Sequence, residues 1–300
     1  MPAAAVRTYH HRDFDLRRLL AAKGSRRVSV CLPARDEQAT IGRIVASIRR
    51  ELMGDRPLVD EVLVIDDHST DETVRVAREA GARVVRSDDV LPEQGEGAGK
   101  GDALWKSLYE AEGDVIAWCD ADVRNFGPRF VLGLLGPLLT SDEIGFVKGF
   151  YERPLDGQPG QGGRVTELVA RPLVSLLFPH LSAVVQPLGG EYAGRRRVLE
   201  QVPFVQGYGV DLALLIDVTA RFGMTTLAQV DLGTRIHRNR PLDELGVQAM
   251  AIIQTALLRA GIPLQADWSP VLVRPGAEPV AVDIRERPPL VDVPSYRKTA

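Results

Sequence analysis

Short β-rich runs alternate with helical patterns from residue 28 onward, and this alternation limits the possible fold more than any other feature. Residues 28–32 have the apolar, β-branched character of a buried strand. Ile41, Ile44 and Ile48 then recur at the spacing of one helical face. Such alternation predicts an α/β fold with a mostly parallel sheet and helices on both faces.

The same patterns continue through the rest of the chain. Further strands are predicted at 61–65, 83–85, 115–119, 145–151 and 226–230, and helices at 103–111, 165–177, 210–222 and 242–258. The Gly/Pro-rich stretch 154–163 indicates a join between two lobes.

Asp120-Ala121-Asp122 directly follows the predicted strand 115–119. Two carboxylates one residue apart at the carboxyl end of a buried strand are suited to hold a hard divalent cation and the diphosphate that it neutralises. Charged residues also follow the first two predicted strands, at Arg35-Asp36-Glu37 after 28–32 and Asp66-Asp67-His68 after 61–65. Because ligands of open parallel sheets bind at the carboxyl ends of the strands, the sequence predicts a nucleotide-sugar site there.

Charge and cysteine content exclude several classes of protein. The 37 basic and 40 acidic side chains give a net charge of −3, which provides no overall attraction for nucleic acid or an anionic membrane. Cys31 and Cys119 lie in or at the end of predicted strands, as expected of reduced, buried thiols. Residues 1–6 lack the pattern of a secretory signal, and 130–139 is too short to span a bilayer. We therefore expect a cytoplasmic protein.

The glycine-rich segment 95–101 fails the phosphate-loop pattern, because Gln94 occupies the first glycine position and Gly101 replaces the serine or threonine. The segment still delivers Lys100 to the start of a helix, where an ammonium and free N–H groups can meet a diphosphate. An ordinary surface turn is the alternative interpretation.

His237 lies in the polar loop 234–241. A lone histidine is more often structural than a metal ligand. Together with Asp122 and diphosphate oxygens, however, it would form a mixed oxygen and nitrogen shell that suits Mn²⁺ and allows Mg²⁺. Such a cation would stabilise charge on a leaving diphosphate.

Three segments of the second half carry polar groups beside glycines. The helix start at 162–167 combines Arg164 with a hydroxyl and exposed N–H groups, which suits a phosphate or carboxylate, although a simple helix cap is the alternative. The segments 189–194 and 207–211 each place one acid near glycines, where sugar hydroxyls can be bound or a turn formed. Residues 195–197, three arginines, are predicted to be a solvated helix face.

Taken together, the motifs resemble GT-A glycosyltransferases, and those of the second half narrow the resemblance to the glucosyl-3-phosphoglycerate synthase family. The motifs fall in the family's order from about residue 28 to 263, and they are Pro33-Ala34-Arg35-Asp36-Glu37, Asp66-Asp67-His68-Ser69-Thr70, Gly99-Lys100-Gly101, Asp120-Ala121-Asp122, Gly163-Arg164-Val165-Thr166-Glu167, Pro187-Leu188-Gly189-Gly190-Glu191-Tyr192, Gly207-Tyr208-Gly209-Val210 and His237-Arg238-Asn239-Arg240-Pro241.

The resemblance implies a homodimeric, retaining enzyme that moves glucose from UDP-glucose to D-3-phosphoglycerate with Mg²⁺ or Mn²⁺. Its GT-A (Rossmann-like) sheet would be joined by a smaller helical acceptor-binding lobe. The implied organisation is an N-terminal extension (1–27), a nucleotide-sugar half (28–152), an acceptor half (153–263) and a C-terminal arm (264–300). Mannosyl-3-phosphoglycerate synthases, which use GDP-mannose, share much of the pattern. A metal-dependent sugar nucleotidyltransferase and a non-catalytic nucleotide-binding module are further alternatives.

Residue roles follow from matches to the family's motifs. Donor contacts are implied for Pro33, Glu37, Asp67, Lys100, Asp120 and Arg240. Metal ligands are implied at Asp122 and His237. Acceptor contacts are implied for Gly163, Arg164, Val165, Thr166 and Asn239. The transferred sugar would be bordered by Leu188, Tyr208, Asp211 and Arg235. The chemistry would depend on Lys100, Asp122, Asp211 and His237.

The chain departs from the family's pattern at two positions. Ala121 stands where serine is common, and Asp211 stands where glutamate is common. The shorter Asp211 side chain bears on the choice of donor sugar. Since no carboxylate nucleophile is evident on the reactive face of the sugar, retention favours front-side attack, in which the departing diphosphate helps take the acceptor proton.

Overall fold

The structure is a computed structural model of the 300-residue chain, and it describes residues 5–97, 99–154, 163–236, 242–262, 270–282 and 284–296. The strands of these ranges, in chain order, are β1 (Arg7–His10), β2 (Val28–Ala34), β3 (Glu61–Asp66), β4 (Arg83–Arg86), β5 (Val115–Trp118), β6 (Phe146–Glu152), β7 (Tyr192–Arg195), β8 (Phe204–Val205), β9 (Leu227–Thr234), β10 (Val271–Leu272), β11 (Val280–Ala281) and β12 (Glu286–Arg287).

The α-helices of the same ranges are α1 (Leu16–Lys23), α2 (Ile41–Leu52), α3 (Thr73–Glu79), α4 (Lys100–Glu110), α5 (Pro128–Thr140), α6 (Arg171–Leu177), α7 (Arg196–Leu199), α8 (Val210–Phe222) and α9 (Leu242–Arg259). A π-helical segment, Thr166–Ala170, leads into α6. Among the described helices, none combines the length and the apolar character that crossing a membrane requires.

Eight strands form the central sheet, in the order β1-β9-β6-β7-β5-β2-β3-β4. β7 is antiparallel to both of its neighbours, β5 and β6, whereas the other neighbouring pairs are parallel. The amino end of β7 therefore meets the carboxyl ends of the parallel strands at one edge of the sheet. The predicted mostly parallel α/β sheet is confirmed, and this edge is where a ligand of such a sheet binds.

Side chains of the strands alternate between two hydrophobic clusters, one on each face of the sheet. In β2, Cys31 belongs to one cluster while Val30 and Leu32 belong to the other. Helices cover both faces, as the continuous apolar runs require. The predicted face of α2 is buried, and Ile48 has no solvent exposure. Full burial of such a side chain stabilises the fold by about 2 kcal/mol.

The predicted helix 165–177 begins with π-helical geometry. Pro172 lacks an N–H group and so cannot donate to the carbonyl four residues earlier. One residue earlier, the N–H of Arg171 bonds to Thr166 O, the five-residue pattern of a π-helix. The Gly/Pro-rich connection 154–163 lies almost wholly outside the described residues, which resume at Gly163.

The prediction that 195–197 form a solvated helix face is wrong for two of the three arginines. Arg195 and Arg196 are buried, and only Arg197 is exposed. The Arg196 guanidinium donates hydrogen bonds of 2.7–2.8 Å to the carbonyls of Leu108, in the last turn of α4, and of Ala111 and Gly113, just past its end. A guanidinium carries five donors, and several carbonyls at a helix end can satisfy them.

Both ends of the described chain pack onto the main body. β1 pairs with β9 in the sheet, and β12 pairs with β8. Arg287 of β12 bonds to the buried Asp102 of α4 at 2.6 Å, and Trp105 Nε1 donates to Pro288 O at 2.7 Å. The segment 284–296 therefore supports α4, the helix that begins at Lys100.

Candidate active site

A cavity of about 640 Å³ lies at the edge where the parallel strands end. Its lining comes from the ends of β2, β3, β5 and β9, the first turns of α4 and α8, and one face of α9. The structure brings together every predicted site residue that it describes, namely Pro33, Glu37, Asp67, Lys100, Asp120, Asp122, Gly163, Arg164, Val165, Thr166, Leu188, Tyr208, Asp211 and Arg235. The predicted residues His237, Asn239 and Arg240 lie outside the described residues.

The acidic pair after β5 is held by Arg235, which follows β9. Nη2 of Arg235 lies 2.9 Å from Asp120 Oδ2 and 2.6 Å from Asp122 Oδ1. Burial alone would lower the pKa of this guanidinium, but the surrounding acidic groups, led by Glu191, raise its pKa well above the ordinary value. Arg235 is therefore a permanent cation beneath the acidic pair.

Lys100 joins the acidic pair to α8. Its ammonium lies 3.0 Å from Asp120 Oδ1 and 3.2 Å from Asp211 Oδ1. Burial would raise the pKa of Asp120, but Lys100 and Arg235 outweigh burial and hold that pKa well below its usual range. Asp120 is thus a carboxylate at any physiological pH, flanked by two cations.

Gly190 allows Asp120 to occupy this position. It lies in the loop before β7, and a Cβ atom added there would lie 2.2 Å from Asp120 Oδ2. Any larger residue would displace the carboxylate from its two cations. The antiparallel strand therefore brings a close-packed loop beneath the acidic pair.

The loops after β2 and β3 also line the cavity and are joined by hydrogen bonds to their neighbours. The N–H of Glu37 donates to Thr73 Oγ1 at 2.7 Å, and the N–H of Gly99 donates to Asp67 Oδ2 at 3.1 Å. His68 has a φ of +63° and its ring bridges Asp67 and Asp88, each at 2.9 Å. Asp67 is thereby fixed at the cavity wall.

The helix start at Gly163 forms another part of the cavity wall. Gly163 has a φ of +77°, a conformation that favours glycine, and its carbonyl accepts the N–H of Glu167 at 3.0 Å. Arg164 and Thr166 line the cavity from this segment. One guanidinium, one hydroxyl and a helix amino end can bind a small phosphorylated or carboxylated molecule.

Comparison with known proteins gives the family. The model of "Glycosyl transferase family 2" matches residues 29–163. The chain is 46% identical to the glucosyl-3-phosphoglycerate synthase of Petrotoga mobilis, over 97% of this chain and 95% of that relative. It is 49% identical to the enzyme of Mycobacterium tuberculosis H37Rv, over 85% of this chain and 80% of that relative. The chain belongs to the glucosyl-3-phosphoglycerate synthase family.

Solved structures of this family share the fold. A crystal structure of the Mycobacterium tuberculosis glucosyl-3-phosphoglycerate synthase with Mn²⁺, UDP-glucose and phosphoglyceric acid matches with a TM-score of 0.87 and 45% identity, covering 95% of this chain and 98% of that one. Another, with Mg²⁺ and UDP, matches with a TM-score of 0.86. The predicted family and the predicted GT-A fold are both confirmed.

Two buried groups support the site of this family member: Glu191, which the sequence placed near sugar hydroxyls or in a turn, and Lys148, which sequence reasoning missed. Glu191 has no solvent exposure and lies 3.3 Å from Arg235 Nε. Burial raises the pKa of this carboxyl more than Arg235 lowers it. Lys148 of β6 is 1% exposed, between apolar residues of a central strand. A lone lysine in an apolar strand could have indicated a functional role for Lys148, because buried lysines are rare without partners.

The donor atoms at the acidic pair suit a divalent cation. Asp122 lines the cavity with its side chain 26% exposed, so its carboxylate is accessible from the cavity. Within the described ranges, no three His, Cys, Asp or Glu side chains are grouped so that they could hold a metal ion. Hard oxygen ligands favour Mg²⁺ or Mn²⁺, and such ions commonly complete their shell with substrate phosphates. The described residues thus fit a cation that is shared with a diphosphate.

Proposed function

We propose that this chain is a retaining glycosyltransferase that moves glucose from UDP-glucose to D-3-phosphoglycerate, giving glucosyl-3-phosphoglycerate. The observation that carries the proposal is the convergence of the predicted donor, sugar and acceptor residues on one cavity. The names of the relatives and the ligands named for the solved relative support the same reaction.

We propose Asp122 and His237 as the protein ligands of Mg²⁺ or Mn²⁺. The position of Ile236, which directly precedes His237, supports this assignment. Its N–H donates to Asn125 Oδ1 and its carbonyl accepts the N–H of Arg124, both at 2.8 Å, so Ile236 is fixed to the loop that carries Asp122. When bound, the cation supplies Lewis-acid stabilisation of the charge on the leaving diphosphate.

The residues of the cavity would divide the remaining work between donor and acceptor. Pro33, Glu37 and Asp67 would hold the uridine, while Lys100 and Arg240 would face its phosphates. Arg164, Thr166 and Asn239 would bind the phosphate and carboxylate of the acceptor. Leu188, Tyr208 and Asp211 would surround the glucose. Holding both substrates in reactive geometry can supply about 7–11 kcal/mol of the barrier reduction.

Retention by front-side attack is supported by the surroundings of the two candidate nucleophiles. Glu191 is fully buried and faces Arg235, away from bulk solvent. Asp211 is paired with Lys100. The departing diphosphate would then be the group that takes the acceptor proton. A covalent glucosyl adduct on Asp211 or Glu191 would contradict this mechanism.

Further parts of the proposal concern organisation. We propose a cytoplasmic homodimer in which 28–152 bind the nucleotide sugar and 153–263 the acceptor, with 1–27 and 264–300 as flanking segments. Free, buried Cys31 and Cys119 agree with a reducing compartment. The strongly exposed Leu168 and Leu176 agree with an apolar contact between two copies.

The decisive test is turnover with UDP-glucose, Mg²⁺ or Mn²⁺ and 3-phosphoglycerate, followed by detection of UDP and a glucosylated phosphate ester. Asp122→Ala should remove nearly all product, because it removes a proposed metal ligand. Asp142→Ala is the matched control, since the Asp142 side chain is 95% exposed and lies elsewhere. Equal turnover by the parent and Asp122→Ala would refute the metal assignment. Product only from GDP-mannose, pyrophosphate release from a nucleoside triphosphate, or binding without turnover would each refute the proposed reaction.

A further inference from the structure

Lys148 is a buried cation in the middle of the sheet. It lies in β6, opposite Tyr192 of β7, and is 1% exposed. Its ammonium lies 4.3 Å from the centre of the Tyr192 ring. The Tyr192 ring also faces the Lys100 ammonium, at 5.7 Å. Burial of a lysine is costly unless its ammonium finds acceptors, so its partners indicate its role.

Those partners are two main-chain carbonyls from different segments. Lys148 Nζ donates to Gly189 O at 2.7 Å and to Asp211 O at 3.4 Å. Gly189 follows Leu188 in the loop before β7, while Asp211 lies in the first turn of α8. Leu188 and Asp211 both line the cavity, on the side proposed for the sugar. One ammonium therefore joins the two segments that carry these residues.

The loop has little freedom to move toward β6. A Cβ atom at Gly189 would lie 2.6 Å from Gly149 O, and the N–H of Gly149 donates to Glu191 O at 2.8 Å. The loop before β7 is therefore packed on β6. The Lys148 ammonium anchors the amino end of α8 to that same strand. The separation between Leu188 and the Asp211 carboxylate then depends on Lys148.

We propose that Lys148 is a positioning residue that sets the width of the sugar subsite, and thereby the discrimination between glucose and its epimers. The inference rests on the proposed function, because it assumes that Leu188 and Asp211 border the transferred hexose. Lys148 itself acts through the two carbonyls and need not touch the substrate.

The charge of Lys148 gives the proposal a pH signature. Burial is the main cause that lowers its pKa, to about 8, with Lys100 acting in the same direction and Asp211, Glu191 and Asp120 opposing it. Below that pH the charged ammonium binds the carbonyls of Gly189 and Asp211. The charge is lost as the pH rises through the pKa. The pKa values of the facing Tyr192 and Lys100 are raised well above their ordinary values, so neither changes charge in that interval. We therefore expect kcat/KM to decline as the pH rises through about 8.

The experiment compares Lys148→Met with Lys106→Met. Lys106 is equally buried but pairs with Asp102 and does not line this cavity, so it controls for the loss of a buried lysine. The measurements are kcat/KM for UDP-glucose, its ratio to kcat/KM for UDP-galactose, and UDP affinity by calorimetry. Lys148→Met should lower kcat/KM about tenfold or more, narrow the sugar ratio, and leave UDP affinity within about twofold. Between about pH 7 and pH 9.5, kcat/KM of Lys148→Met should stay constant, whereas kcat/KM of Lys106→Met should still decline.

Three results would overturn the proposal. The first is a parent profile that is flat across that interval. The second is a folded Lys148→Met with the sugar ratio and pH profile of Lys106→Met. The third applies if Lys148→Met does not fold, and it uses Lys148→Arg, whose cation does not titrate in this range. The proposal is overturned if kcat/KM of Lys148→Arg still declines near pH 8 as it does in the parent. Failure of the proposed function is distinguishable, because it would appear as no transfer by the parent itself.

Discussion

Arg235 contacts three carboxylates while only 3% of its side chain is exposed. Removing one partner of such a buried pair leaves an uncompensated charge and costs about 3–5 kcal/mol, far more than the ~0–1 kcal/mol of a surface pair. The cost falls on the acidic pair itself, because Asp120 and Asp122 would repel each other without the guanidinium. The acidic pair is therefore preorganised by the protein before any ligand arrives.

His68 provides a prediction at the scale of one side chain. Its hydrogen bond to Asp67 is the main cause that raises its pKa above 6.5, and Asp88 adds to the effect. The bridge between the two carboxylates is fully present below pH 6.5 and is lost as the pH rises through the raised pKa. NMR titration of the imidazole C–H signals, assigned with His68→Asn, should give a midpoint above 6.5.

His11 is the internal control for that titration. Burial is the main cause that lowers its pKa below 6.5. The two histidines should therefore titrate in a fixed order, with His11 deprotonating at the lower pH. A reversed order would show that His68 does not bridge Asp67 and Asp88 in solution.

At the scale of elements, the loop before β7 should be intolerant of added volume. In Gly190→Ala the new methyl group would meet Asp120 Oδ2 at 2.2 Å, and Asp120 is held by Lys100 and Arg235. Displacement of a site group by about 1 Å can cost about 100-fold, so kcat/KM should fall by roughly that factor. Gly54→Ala is the matched control, because nothing lies within 4 Å of its added Cβ atom. Parent-like turnover from folded Gly190→Ala would show that Asp120 need not stay in place.

Periodicity predicted the bounds of β2 and α8 within two residues, because their apolar residues are regularly spaced. It missed β7, because Tyr192-Ala193-Gly194-Arg195 has two small residues and an arginine, and its neighbours suggest a turn. β7 is a strand because β5 and β6 bond to it on both sides. Its pairing is therefore a tertiary effect that local sequence cannot reveal.

The same distinction applies to the site. Strand ends and motif matches predicted which side chains gather at the cavity, because the carboxyl ends of parallel strands share an edge. The partners of Lys148 and Arg235 could not be predicted, since they depend on the strand order β9-β6-β7-β5. The burial of Arg195 and Arg196 was not predicted for a similar reason. The carbonyls that accept their hydrogen bonds belong to residues more than fifty positions away in the sequence.

At the scale of the whole molecule, the proposed homodimer predicts a change of mass. Leu168 and Leu176 lie on one helical segment with 75% and 78% exposure, which is unusual for large apolar side chains. Light scattering should give twice the 32.8 kDa chain mass for the parent and the single mass for Leu168→Asp with Leu176→Asp. Val273→Asp, at a site with 69% exposure outside this helical segment, should stay dimeric. A monomeric parent, or a dimeric double variant, would contradict this contact.

The insertion of β7 between β5 and β6 has a consequence for synthesis on the ribosome. When the first half has emerged, β5 and β6 cannot yet be bridged, because the strand that joins them begins at Tyr192. Open strand edges of this kind can pair with other chains. A nascent chain arrested before that residue should therefore need chaperone protection. A protease-resistant core should form only when β7 and β9 have emerged from the ribosome.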